Sequence, residues 1–242
     1  MIHFYGKYNG VDSTLPRGTR YSTDSPYKEI KDEKTLAKYL QLAQIPVMII
    51  LLPIWIWRFM DIPHYSRIMW ETALISVFLQ MLVLLPHEYL HGLCFKKDCW
   101  VFTSLSKGML FVTGPEAMSK KRFIFMSLLP NLILGLLPFC IGLALPHSSS
   151  TASFIAALVT MFGLVNLCSG VGDYYNIWNT IRQVPKDGMV YMYGLESYWY
   201  SPKDRKQVNS VLINMERGPL KESPKKTETP ETGSQDSEQK AE

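Results

Sequence analysis

From Trp70 to Leu85 the chain is almost uninterrupted hydrocarbon, and the run ends in Pro86-His87-Glu88-Tyr89-Leu90-His91-Gly92. A stretch this apolar cannot be accommodated as an ordinary surface helix, and the segment around it, from Ile68 to Cys94, is long enough to cross a bilayer. Three other runs have the same character, giving four expected spans: about Leu40 to Phe59, Ile68 to Cys94, Phe123 to Leu145, and Ser153 to Tyr175. Pro46 and Pro53 make the first the least regular. The mean hydropathy near zero hides this division, because long apolar runs alternate with charged stretches.

Lys and Arg are distributed unevenly around these runs. Along the chain the flanks carry 7, 2, 6, 0 and 10 of the 25 basic residues. Positive charge marks cytoplasmic loops, so the alternation predicts an all-α membrane protein with both termini in the cytoplasm. Met1 to Lys38 is polar and charged throughout, which gives no sign of a signal peptide. Cys94, Cys99, Cys140 and Cys168 lie in or beside apolar runs without zinc-knuckle spacing and read as free, buried thiols. The net charge of +4 does not point to nucleic acid, because the basic residues cluster at the ends of hydrophobic segments.

The chemistry concentrates at the end of the second span. In H-E-x-x-H spacing two imidazoles stand one helical turn apart on one face, so His87 and His91 can ligate one Zn²⁺. Glu88 sits beside them, where a carboxylate can take a proton from water at the metal. With this chain's own content of His and Glu, chance would produce the pattern in about 0.006 of such sequences. The bland alternative is a pair of core histidines with a solvated Glu. Ionisable residues entering an apolar helix are costly and usually functional, which favours the metal.

A catalytic zinc usually has three protein ligands. His64 and His147 fall in the two outer loops, about 30 Å away across the hydrocarbon core, and are excluded. Asp173, in the last turns of the fourth span, shares the depth of the two histidines and is the expected third ligand. Its alternative is an interfacial Asp solvated by headgroups. Asp98 and Glu116, in the loop after the motif, are weaker candidates.

A membrane helix bearing His-Glu-x-x-His, with a later span carrying Asn166 seven residues before Asp173, resembles the site-2 proteases, which are intramembrane metalloproteases. More narrowly it resembles the small bacterial four-span membrane zincin peptidases. The likeness covers about Ile68 to Asn176. His87, Glu88 and His91 match the first motif, His91-Gly92 its usual ending, and Asp173 takes the place of the third ligand. The chain departs from the site-2 pattern where a proline should separate Asn from Asp and a glycine should follow the Asp. Ser169-Gly170 and Tyr174 stand there instead. The resemblance implies a multi-pass protein of the bacterial cytoplasmic membrane.

The remaining pieces read more modestly. Pro86 frees a backbone carbonyl one turn earlier, which implies either a wet cavity or a packing kink. Asn131 could orient a substrate backbone or make an interhelical hydrogen bond, and Asn166 is a second candidate of that kind. Gly163, Gly170 and Gly172 would let helices approach closely. Trp100–Leu105 and Met109–Thr113, joined by Ser106-Lys107-Gly108, predict a β-hairpin whose free edge could pair with an extended substrate. The aromatic stretch from Trp178 to Tyr200 suggests a segment lying at the interface.

The expected organisation is a cytoplasmic N-terminal segment (1–39), a four-helix metallopeptidase-like membrane domain (40–177) and an interfacial or cytoplasmic segment (178–217). Within the last, Arg205 to Arg217 could form a short helix, and residues 218–242 read as a disordered tail. Two functions follow. One is a zinc metallopeptidase cutting a membrane-protein or peptide substrate near the cytoplasmic face, with Glu88 as general base and acid. The other is a non-catalytic adaptor or transporter subunit that retains a metal site.

Overall fold

The structure is a computed structural model and describes residues 1–8, 14–104 and 109–206. The turn expected at 106–108 lies outside these residues, as do nearly all of the helix expected at 205–217 and the tail from 218.

Among the described residues four helices are long and apolar enough to cross a membrane: Glu33–Phe59, Tyr65–Leu93, Lys120–Ala144 and Ser150–Ser169. The first is α1 and the second α2. The third is composite, with α3 (Lys120–Pro130), a π-helical stretch (Asn131–Leu136) and α4 (Leu137–Ala144) in series. The fourth is α5, followed after Gly170 by α6 (Val171–Gln183). Their starts are set by local chemistry. Asp32, Ser119 and Ser149 each accept a hydrogen bond from the amide three residues on, satisfying a donor that the first helical turn leaves free.

The sequence reads the fourth run as one helix to Tyr175, but the helix breaks at Gly170. A Cβ there would stand 1.6 Å from Asn131 Oδ1, so the chain turns where only glycine fits. The helices pack around α5. Trp55 and Phe59 of α1 are fully buried against Ala156, Ala157 and Met161, and Trp55 Nε1 donates to Ala157 O at 3.1 Å. Gly163 allows close approach to α4, since a Cβ would stand 2.4 Å from Phe139 N. Gly172 meets nothing within 4 Å, so close packing does not explain it. The outward faces of α1 and α2 are apolar, with Ile49, Ile50, Trp57, Leu74, Phe78 and Met81 all exposed.

The fold is mostly helical, and among the described residues it carries two small sheets where the sequence led to only one hairpin. In the first, β1 (Ile2–Lys7) runs parallel to β3 (Cys99–Ser104), which pairs antiparallel with β4 (Met109–Thr113). The hairpin expected there is thus present and gains β1, leaving β4 as an edge. The second sheet has the order β2-β7-β6-β5, from Ser25–Pro26, Glu196–Tyr200, Met189–Tyr193 and Met118–Ser119.

Both sheets cap the end of the bundle that carries the His-Glu motif. Cys99, Val101 and Val112 pack with Ile2 and Phe95 just past the end of α2. Met118, Val190 and Tyr27 pack with Phe123 and Met126 of α3. In the aromatic stretch Tyr191 and Tyr198 turn inward and stack. Tyr191 donates to the buried Asp24 carboxylate, which Arg205 also holds, tying residues 189–206 to the N-terminal segment. Among the four cysteines, Cys99 and Cys168 are buried, Cys94 is half-buried and Cys140 is exposed; all four are free thiols.

Candidate metal centre

Helix α2 carries His87, Glu88 and His91 in its last two turns, and their ligand-type atoms lie within 4.8 Å of one another. The two imidazole centroids are 4.9 Å apart, as helical spacing requires. His91 Nδ1 lies 2.8 Å from the carbonyl of Met126 on α3. With the proton on Nδ1, the ring donates to that carbonyl and turns a bare Nε2 toward the centre of the cluster. This arrangement orients ligating histidines in metal sites.

Asp173 reaches the same point from the first turn of α6. Its Oδ2 is 3.2 Å from His87 Nε2 and its Oδ1 is 3.2 Å from His91 Nε2. The three side chains are 16%, 8% and 12% exposed, so little water screens them. A carboxylate oxygen facing a bare ring nitrogen brings two lone pairs together and calls for a cation between them, either a proton or a metal. The spacing fits a metal: a tetrahedral site with bonds near 2.0 Å places its ligand atoms about 3.3 Å apart. Two imidazoles and a carboxylate are also a donor set that suits zinc.

A second layer holds these groups. Asn131, the first residue of the π-helical stretch, donates from Nδ2 to Asp173 Oδ2 at 2.8 Å and to Ser127 O at 3.3 Å. Arg122 bonds the carbonyl of Cys94 beyond the end of α2 and pairs with Glu116 at 2.6 Å. Glu116 accepts further bonds from the amides of Lys96 and Lys97. Burial raises the Glu116 carboxyl, but Arg122 and those amides outweigh it and hold the group below its ordinary value.

The cluster opens onto a cavity of about 560 Å³. Its walls come from α2, α3, α6, β4 and the β6–β7 turn, and include Gln80, Phe111 and Ser127. The carboxylate of Glu88 faces the cavity and takes a hydrogen bond from the Val112 amide of the edge strand. Glu29 lines the far wall. Burial, together with the negative charge of Glu196, raises its carboxyl to about 7.

The expected residues separate clearly. His87, Glu88, His91 and Asp173 converge, although Asp173 lies 82 residues beyond His91 in the chain. Asn131 joins them through Asp173 but does not line the cavity. Asn166 is buried outside the cavity and bonds Phe162 O of its own helix. Asp98 is engaged by the Met1 amino group and His3, and Glu116 by Arg122. His64 precedes the first turn of α2, about 40 Å along the helix from His91, and His147 pairs with Arg58. Sequence reasoning passed over Glu29, Ser127 and the Met126 carbonyl. No local pattern marks any of them, because each acquires meaning only from the elements packed beside it.

Residues 79–189, just under half of the chain, match the model of a family described as “Putative zincin peptidase”. The match spans His87, Glu88, His91, Asn131 and Asp173 and supports a zincin-like peptidase family for this segment. No curated protein and no solved structure matches the chain.

Proposed function

We propose that the protein is a membrane-embedded zinc metallopeptidase that hydrolyses a peptide bond near the cytoplasmic membrane face. The observation that carries this is the Asp173 carboxylate set against both imidazole Nε2 atoms, beside a second carboxylate, Glu88, that faces the same cavity. In this account His87, His91 and Asp173 hold the zinc. Zinc bound there would acidify water and polarise the carbonyl of the bond to be cut. Glu88 takes the proton from the attacking water and returns it to the leaving nitrogen, so water and amide become carboxylic acid and amine. The edge strand β4 offers unpaired backbone groups along the cavity, where an extended substrate can lie.

The four apolar helices and their exposed outer faces support insertion in a bilayer, and the alternation of basic flanks supports cytoplasmic termini. Residues 40–177 then form the peptidase unit, and the flanking segments add β1, β2, β6 and β7 to the two sheets over its cytoplasmic end. The likeness to site-2 proteases rests on His87, Glu88, His91 and Asp173; Asn166, the asparagine that the likeness also used, bonds Phe162 O of its own helix, and Asn131 holds Asp173 instead.

Metal analysis of the purified protein tests the proposal, together with cleavage of membrane proteins compared between cells carrying wild type and Glu88→Gln. The expected result is zinc in both proteins and cleavage only in the wild type. Zinc without any cleavage that depends on Glu88 would favour a non-catalytic adaptor.

A further inference from the structure

Several helical hydroxyls of this protein are satisfied within their own helix. Thr72, Thr160, Ser169 and Thr180 each donate to the carbonyl four residues earlier, at 2.7 to 2.9 Å. Ser127 of α3 does not. Its Oγ is buried, with the residue 1% exposed, and finds no partner among the described residues. An unpaired buried hydroxyl in apolar surroundings carries a real penalty, and natural structures keep such groups where something else uses them. Ser76 is also unpaired, but it lies away from the cavity, whereas Ser127 lines it.

Its position relative to the metal cluster is fixed from two sides. The preceding residue, Met126, supplies the carbonyl that orients His91. Ser127's own carbonyl accepts from Asn131, the residue that holds Asp173. Ser127 therefore stands in the cavity wall beside the residues that hold His91 and Asp173, with its hydroxyl covered from water. From the metallopeptidase reading, on which this rests, we infer that Ser127 is a catalytic residue: its hydroxyl donates a hydrogen bond to the carbonyl oxygen of the peptide bond under attack. That oxygen gains negative charge as water adds to the carbonyl carbon. A donor already in place and shielded from water favours the charged state over the ground state. Ser127 keeps its proton throughout; the proton that moves is the one Glu88 carries.

The assignment separates function from stability. Replacing Ser127 with alanine removes an unsatisfied hydroxyl and should leave the melting temperature unchanged or raise it. The probe is a phosphinic peptide, whose tetrahedral anionic centre resembles the attacked carbonyl. Its affinity is measured on the full-length, zinc-loaded protein in detergent, and the same peptide ending in a hydroxamate reports simple metal chelation. Ser127→Ala should bind the phosphinic peptide about a hundredfold more weakly, with hydroxamate affinity and zinc content as in the wild type. Equal phosphinic affinities in the two proteins, whether measurable or not, overturn the role of Ser127 and leave the metallopeptidase reading standing. Absence of zinc and of hydroxamate binding from the wild type overturns both.

Discussion

Gly170 and Asn131 share one space: a Cβ on Gly170 would stand 1.6 Å from Asn131 Oδ1 and 2.6 Å from its Cγ. The break between α5 and α6 and the orientation of the Asn131 amide are therefore set together. Because Asn131 Nδ2 bonds Asp173 Oδ2, the helix break also bears on the proposed third ligand.

Gly170→Ala should accordingly act on the metal site through Asn131. The methyl displaces Asn131 and frees Asp173 to rotate, weakening zinc about 10- to 100-fold, the usual cost of losing a group that orients a ligand. Asn131→Ala should match it, and the double variant should be no worse than either single one, since both remove the same bond. Competition with a fluorescent zinc chelator reads all three. Additive losses would show that the two residues act separately.

Two carboxylates give stability a pH dependence of opposite sign. The Glu29 carboxyl is raised from 4.5 to about 7, so the folded state binds its proton more tightly than the unfolded chain does. Its stabilising effect is complete below the ordinary carboxylate value and fades as pH rises through about 7. Thermal unfolding should therefore show a lower midpoint near pH 8.5 than near pH 6, and Glu29→Gln should flatten that difference.

The Glu116 carboxyl is depressed instead, chiefly through Arg122 and the amides of Lys97 and Lys96 working against burial. Its contribution is present above the ordinary carboxylate value and is lost as pH falls through the folded one. Glu116→Gln should cost about 3 kcal/mol at neutral pH, since it leaves the half-buried Arg122 without its charge partner. The same variant should lessen the acid-side fall in stability. Denaturant midpoints at two pH values would show both effects.

Membrane orientation is open to a direct check. Reporter fusions after Phe59 and within 146–150 should read as external, and a fusion at the C-terminus as cytoplasmic. An external C-terminus would reverse the orientation proposed for the metal end of the bundle.

Much of this architecture is legible in the sequence because hydrocarbon length and motif spacing are local properties. The four apolar runs became the four long helices, and the H-E-x-x-H turn placed His87, Glu88 and His91 together. Asp173 could be reached by a depth argument, although the helix carrying it is separate from the fourth long one. The break at Gly170 was hidden because Asn131, whose side chain fills the space beside that glycine, lies 39 residues earlier. The sheets were half visible. The β3–β4 hairpin has a sequence pattern, whereas β1 joins it from the N-terminal segment by a parallel pairing that no local signal encodes. The unpaired hydroxyl of Ser127 gives no sign at all until its neighbours are in place.

Zinc content across a small set of variants tests the central claim most directly. Wild type and Glu88→Gln should each hold one equivalent, because the glutamine removes the base and leaves the ligands. His91→Ala should lose most of the metal. Asp173→Asn should fall between, since an amide oxygen can reach zinc without contributing negative charge. Zinc content unchanged in both His91→Ala and Asp173→Asn would contradict the assignment of this cluster as the metal centre.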